Sequence, residues 1–315
     1  MSGSILGIDT SNYTTSLAVL SESGELLANI KYPLPVKPGE RGLRQSDAVF
    51  AHVKNLPDAF RDARELLSAH PPIAVGVSTR PRNVSGSYMP CFLAGRVAAE
   101  SIAAASSVKL YEFSHQCGHI MAAIYSSQKY ELLSGEFAAF HISGGTTELL
   151  RVRGNGLAFD AEKLGGTEDL NAGQIIDRIG VALGLPFPAG PHLEKLFYEN
   201  KKPVPKKKVS AHGLSFNLSG LENIANKVYS ETNDKNFVAA VVFEYIANSI
   251  ISACREYTLQ FGNMPFVFAG GVMSNSYLKE RLSSEFDASF AEPALSSDNA
   301  VGIAALTLRA HKNNA

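Results

Sequence analysis

The 315-residue chain is predicted to be an α/β protein of two similar halves that face each other across a cleft. Two stretches carry that prediction. IDTSNYTTSLAVL, from Ile8 to Leu20, and HISGGTTELLRV, from His141 to Val152, share one pattern: an apolar strand, small hydroxyl residues, a turn, Thr-Thr and a second apolar strand. A third observation is the pair Gly270-Gly271, set between a predicted strand and a predicted helix, a ready place for a nucleotide or simply for close strand–helix packing.

Composition bounds the classes of function. At 45% hydrophobic and 19% charged, the chain can bury a sizeable core. Its net charge of −1 supplies no global basic field for nucleic acid, so any such contact is a local patch. Three widely spaced cysteines, Cys91, Cys117 and Cys254, argue for a reducing compartment and no disulfide framework. The start, MSGSILGID, has no basic segment ahead of its apolar run and does not read as a signal peptide. No run of 18 apolar residues occurs, so no membrane span is expected and a cytoplasmic location is.

In chain order, Asp9 ends the first strand, where it either caps the turn or orients a metal or water near a nucleotide phosphate. A turn, a strand and the proline-rich loop Pro33–Gly42 follow. A helical pattern opens at Ser46 and Asp47, and a short buried strand from Ile73 to Val77 ends in the polar loop Ser78–Asn83. There Arg80 and Arg82 either meet an anion or stay solvated. Residues 91–107, rich in Ala, Gly and Ser, read as a closely packed helix. The next strand runs into Ser114–Ala123, where His115 and His119 are spaced i, i+4. On a helix both imidazoles share one face and can share a metal, given a further ligand from elsewhere; the alternative is two unrelated histidines. Cys117 points off that face and reads as packed.

The Ser143-Gly144-Gly145-Thr146-Thr147 turn is either an ordinary hairpin or a nest of backbone N–H groups for a phosphate, with hydroxyls as further donors. A third strand leads to a helix carrying Ile175, Ile176 and Ile179 on its apolar face and Asp177 on its polar face. Pro186–His192 is a rigid loop in which Gly190 allows close approach of a ligand. Lys201–Lys208 holds five lysines and two prolines, either a solvated loop or an extended track for a phosphate backbone. Asn217 or Ser219 is expected to cap the next helix. Residues 235–261 read as a central buried helix, followed by a strand, Gly270-Gly271, Asn275 and a further helix. Asp298 either caps the last helix or supplies the missing carboxylate for His115 and His119.

Taken together and in this order, the motifs resemble the TsaD family, formerly called Gcp or O-sialoglycoprotein endopeptidase-like. HQCGH is similar to its H-x-x-G-H metal motif, ISGGTTEL to VSGGHTEL, AGQIIDRIGVALGLPFPAGP to AGEAFDK…GL-x-YPGGP, and AGGVMSN with SSDNA to its C-terminal nucleotide and metal motifs. The resemblance implies two RNase H-like lobes of the actin, sugar-kinase and heat-shock-protein (ASKHA) superfamily around a nucleotide cleft. It sets one lobe at residues 1–122, with 299–315 packing back on it, and the other at 123–298. Its implied activity is an acyl transfer, in complex with partner proteins, from threonylcarbamoyl-AMP to an adenosine next to the tRNA anticodon. The alternatives are another carbamoyl acceptor or a non-catalytic nucleotide-binding partner protein. By resemblance His115, His119 and Asp298 hold one divalent iron or zinc ion, and Ile142, Ser143, Gly144, Gly145, Thr146, Asp177, Gly190, Gly270, Gly271 and Asn275 hold ATP or an adenylate. Asp9 is the candidate catalytic group, and Lys201–Lys208 the candidate tRNA contact.

Several polar positions depart from the family. Tyr13 stands where the S-C-D-E-T segment has Asp, Cys117 where the histidine motif has Glu, Thr146 for the His of SGGHT, and Gln174 for the Glu of AGEAFDK. Arg80-Pro81-Arg82 replaces a Gly-Pro-Gly turn. The departures suggest a divergent paralogue. A protease reading gains nothing, because H-x-x-x-H lacks the glutamate of H-E-x-x-H.

Overall fold

Each half begins with a run of β-branched and apolar residues that folds back on itself as a three-stranded meander. In a computed structural model, which describes residues 3–11, 13–35, 43–155, 159–204, 208–297 and 300–313, the first meander is β1 (Ser4–Asp9), β2 (Thr14–Ser21) and β3 (Leu26–Pro33). Helix α1 (Gln45–Ala69) leads to β4 (Pro72–Arg80), α2 (Phe92–Ser106) leads to β5 (Lys109–Ser114), and both strands join parallel to β1. The resulting order is β3-β2-β1-β4-β5.

Helix α3 (His115–Ser127) then crosses to the second meander, β6 (Glu136–Ile142), β7 (Thr147–Gly154) and β8 (Phe159–Thr167). After it come α4 (Ala172–Ala182), α5 (Gly190–Glu199), β9 (Ser210–His212), β10 (Ser215–Asn217), α6 (Gly220–Thr232), α7 (Lys235–Phe261), β11 (Phe266–Ala269), α8 (Ser276–Ser283), β12 (Ala288–Phe290), α9 (Pro293–Ser296) and α10 (Val301–Lys312). The second sheet is ordered β12-β11-β6-β7-β8-β10-β9. Its part β8-β7-β6-β11-β12 repeats the first sheet: three antiparallel strands, then two parallel ones added beside the first. The hairpin repeat in the sequence is therefore the start of a repeated sheet.

Strands β1 and β6, central in their sheets, are buried almost throughout, as near-continuous apolar runs require. The α7 helix is long and apolar enough to cross a membrane by length and composition, and 78% of its apolar window is buried inside the protein as the core of the second half. Helix α10 returns to pack on β1, β4 and α3.

The expected cap of α6 differs. Neither Asn217 nor Ser219 caps it with a side chain; instead Asp169, 49 and 50 residues earlier, accepts the backbone N–H groups of Leu218 and Ser219 at 2.8 and 3.0 Å. Burial pushes the Asp169 carboxyl up, but the Ser219 hydroxyl and the amides of Leu218, Leu170 and Ser219 outweigh it and hold the group at about 2. A lowered carboxyl stabilises the fold above its unfolded value and loses that contribution as pH falls through the folded one. Asp169→Asn is therefore expected to lower stability at neutral pH and to remove part of the acid loss between about pH 4 and pH 2, as read by urea unfolding across that range.

Candidate functional site between the two sheets

The carboxyl end of β1 and the amino end of α3 meet because β5, hydrogen-bonded to β4 beside β1, runs straight into α3. Ser114 starts the helix by accepting Cys117 N–H at 3.2 Å. This sets His115 over Asp9, with Nδ1 3.0 Å from Oδ2. Ser11 Oγ donates to the same oxygen at 2.9 Å, and Ser78 donates to Oδ1. Asp9 is 0% exposed. Expected to act near the phosphate, it lies instead behind an imidazole, its oxygens already engaged by its own chain. Because a carboxylate only accepts, Nδ1 of His115 carries a proton toward Asp9.

The i, i+4 spacing brings the His115 and His119 rings edge to face, centroids 4.4 Å apart. A third imidazole, not singled out by the sequence, joins them: His141 of β6, 4.7 Å from His119 and 6.4 Å from His115. Its signal was the pleat, which sends Phe137, Ala139 and His141 to the face that meets α3. Among the described residues, no three His, Cys, Asp or Glu donors form a ready cage. Asp298 lies outside the described residues, as do 205–207 of the lysine cluster. Cys117 is buried, its thiol pushed up by burial, and its sulfur accepts from Asn83 at 3.4 Å.

Two residues past His141, the hairpin tip opens onto a cleft of about 560 Å³, within the size range of small-molecule sites. Ser143, Gly144, Gly271 and Asn275 line it, as do Asp177 and Gly190 opposite Tyr13 and Leu34 of the first half. The tip glycines do not have positive φ, so the expected conformational reason for them falls away; a β-carbon on either would meet nothing within 4 Å, and their bareness keeps the loop open. Thr147 is no free donor: buried, it accepts Ala172 N–H at 2.8 Å and holds the start of α4 to the hairpin. Ile142 is buried beneath the tip, while Gly145 and Thr146 stand at its outer edge. Gly270 shapes the wall without lining it. Its φ of +98° and its approach to the Ile142 carbonyl, 2.3 Å from where a β-carbon would sit, exclude any side chain.

On the far wall, burial pushes the Asp177 carboxyl up, although Ala189 N–H donates to it at 2.7 Å and pulls the other way. Asn275 caps α8 through Leu278 N–H at 2.9 Å, and Glu194 accepts Ser276 N–H at 2.7 Å. From the loop the sequence read as rigid around Gly190, Phe187, Pro188 and Pro191 also supply apolar wall, a role the sequence did not assign them. Arg82 remains partly exposed but its guanidinium meets a protein anion: with Lys163 it holds the buried Glu148, at 3.1 and 3.2 Å, and Gln116 donates to that carboxylate at 2.8 Å. Arg80 donates to Asn83.

The pattern of the family described as TsaD, tRNA N6-adenosine threonylcarbamoyltransferase, matches residues 39–305. A tRNA N6-adenosine threonylcarbamoyltransferase of Streptococcus suis is 31% identical over 293 residues, 89% of this chain and 83% of its own length. One from a Sulfurihydrogenibium species is 32% identical over 88% of this chain and 80% of its own. Among solved structures, full-length HypF in a phosphate- and nucleotide-bound form superposes with a TM-score of 0.62 at 14% identity, over 99% of this chain and 46% of that one. Component A of (R)-2-hydroxyglutaryl-CoA dehydratase from Acidaminococcus fermentans gives 0.59 at 16%, over 99% and 100%. A ROK-family glucokinase from Streptomyces griseus gives 0.53 at 13%, over 97% and 99%. The fold is of the ASKHA type, with two lobes built on the repeated sheet.

Proposed function

The chain belongs to the TsaD family of transferases, and we propose that it is a metal-dependent acyltransferase that moves a threonylcarbamoyl group from its adenylate to N6 of an adenosine in tRNA. The observation that carries this reading is the cleft that Tyr13 and Leu34 of the first half line together with Ser143, Gly144, Asp177, Gly190 and Asn275 of the second, with Ser143 two residues past His141.

In this reading Asp177, a carboxylate on a largely apolar wall, accepts ribose hydroxyls, and the Ser143 hydroxyl and the backbone at Gly144 and Gly271 donate to the phosphate, the Ser143 N–H being held by the Thr146 carbonyl at 2.7 Å. The N6 amine attacks the carbamoyl carbon; a C–N bond forms, the bond from that carbon to the phosphate oxygen breaks, AMP leaves with the bonding electrons, and N6 loses a proton. His115 and His119, with Asp298 by resemblance, would hold one divalent ion. Imidazole donors suit iron and zinc alike. When bound, such an ion supplies Lewis-acid stabilisation of charge developing on the phosphate or carbamoyl oxygens. Asp9 serves by holding His115 in one tautomer. The same reading divides the chain into a lobe of 1–122 with 299–315 and a lobe of 123–298, assigns Lys201–Lys208 to tRNA, and calls for partner proteins in the cytoplasm.

One observation favours a second reading. Tyr13 forms part of the cleft wall where the resemblance expects an acid, which suits the same transfer to a different acceptor.

The test supplies the purified protein and family partner proteins with threonylcarbamoyl-AMP and tRNA, and analyses nucleosides by mass spectrometry. Threonylcarbamoyladenosine is the expected product. Asp177→Ala is expected to weaken adenylate binding about tenfold to a hundredfold, the worth of a hydrogen bond to a charged group, and wild-type binding should weaken as pH falls through the raised Asp177 carboxyl. Bound adenylate with unmodified tRNA and turnover on another acceptor would replace the first reading by the second.

A further inference from the structure

We propose that Arg82 is a positioning residue for the cleft: through the buried carboxylate of Glu148 it ties the first sheet to the strand that leaves the hairpin tip, and so sets how far apart the two walls stand. Its effect on ligand binding rests on the nucleotide part of the reading above; its effect on the spacing of the walls does not.

Position is the first argument. Arg82 follows β4 of the first sheet, Glu148 and Lys163 lie on β7 and β8 of the second, and Gln116 is in the first turn of α3. Leu150 and Val152, two and four residues past Glu148, pack with the buried side of α3, and the pleat sends Glu148 the same way. There its carboxylate, 4% exposed, meets Arg82 at 3.1 Å, Lys163 at 3.2 Å and Gln116 Nε2 at 2.8 Å. Lys163 comes from the neighbouring strand of the same sheet, whereas Arg82 and Gln116 reach Glu148 from outside it.

Preorganisation is the second. The loop around Arg82 is docked through its backbone and its neighbours. The Pro81 carbonyl accepts Gln116 N–H at 3.0 Å, Arg82 N–H donates to Ser87 Oγ at 3.0 Å, and Asn83 Nδ2 donates to Cys117 Sγ at 3.4 Å. A planar guanidinium on such a base loses little further freedom on pairing. Across the seam, three consecutive residues pin the hairpin. The Thr146 carbonyl accepts Ser143 N–H at 2.7 Å, Thr147 accepts Ala172 N–H at 2.8 Å, and Glu148 takes the two cations. The tip is thus anchored to its own half by Thr147 and to the first sheet by Glu148.

Energetics is the third. A buried ion pair is a poor source of stability, because desolvation offsets most of the attraction; fixing one arrangement over others is its better use. In Arg82→Leu the carboxylate keeps Lys163 and Gln116 and is not stranded, so the fold is expected to survive. What is lost is the charged tie between the sheets. Lys163→Leu is the matched control, since it also takes one cation from Glu148 but leaves that tie in place.

The experiment uses full-length protein with nitroxide labels at Ser68→Cys on α1 and Asn226→Cys on α6, both exposed, the native cysteines being buried. Pulsed electron paramagnetic resonance reads the distance distribution between the halves, and calorimetry titrates AMP on the same variants. Arg82→Leu is expected to broaden the distribution and to weaken AMP binding about twofold to thirtyfold, the scale for residues that couple elements without touching ligand. Arg82→Lys, which keeps the charge, is expected to recover part of both, and Lys163→Leu to match wild type. A distribution of wild-type width in Arg82→Leu, equal broadening in Lys163→Leu, or broadening with unchanged AMP affinity would overturn the inference and leave the nucleotide reading standing. Absence of AMP binding in wild type would overturn that reading, and the distances would then decide the inference alone. Should Arg82→Leu not fold, Arg82→Gln takes its place in the same comparison.

Discussion

Asp9→Asn is expected to keep the fold and to weaken metal binding about tenfold to a hundredfold, with transfer activity falling alongside. The carboxylate takes hydrogen bonds from Ser11, Ser78 and the His115 imidazole and is wholly buried. An amide keeps one acceptor oxygen but turns an NH₂ toward donors. Either a serine or His115 then loses its partner, and the imidazole is free to take the other tautomer, which places a proton on the nitrogen the metal needs. Asp9→Ala removes every acceptor at once. With three donors stranded in the core, it is expected to cost about 3 kcal/mol of stability or more. Chelator-competition titration of Zn²⁺, paired with urea unfolding, separates the two effects. Unchanged affinity in a folded Asp9→Asn protein would reduce Asp9 to a support for the turn.

That role was illegible in the sequence because its partners are remote: Ser78 lies 69 residues away and His115 lies 106. What a short window can hold was legible. The two hairpins share a local pattern, and each starts a sheet that the later strands complete in the same order. The i, i+4 histidines and the strand–glycine–helix passage at Gly270 are likewise local signals. His141 was hidden by its surroundings, since one polar residue in a run of core strand residues reads as core. The three-residue strands β9 and β10 were missed because they are too short to show a pattern; they pair with each other, and β10 joins the sheet along the edge of β8. Arg82 was open to meeting an anion or staying solvated; the carboxylate it meets is Glu148, remote in sequence and so not identifiable from the loop itself.

Gly302→Ala is expected to cost about 3 kcal/mol, the upper part of the range for overpacking, and to weaken metal binding without touching a ligand. A β-carbon at Gly302 would sit 1.8 Å from the Gly118 carbonyl oxygen and 2.8 Å from Ala122 N. These are backbone atoms, so no side chain can swing aside; α10 or α3 must move. Ile303, next on α10, is close enough to Gly118 that a β-carbon there would meet its side chain at 3.0 Å, so the crossing has little slack on either helix. Helix α10 also packs against β1 and β4, with Gly7 facing Ala304 and Gly76 facing Thr307. A displaced α3 would shift His119 relative to His141, whereas a displaced α10 would open the first half's core and leave the histidines together. Gly144→Ala is the contrast: its β-carbon meets nothing within 4 Å, so stability should hold to within about 0.5 kcal/mol while adenylate binding weakens. Urea unfolding and Zn²⁺ titration on both variants distinguish the cases. Gly302→Ala with wild-type stability would mean that the helices do not cross as closely as their glycines require.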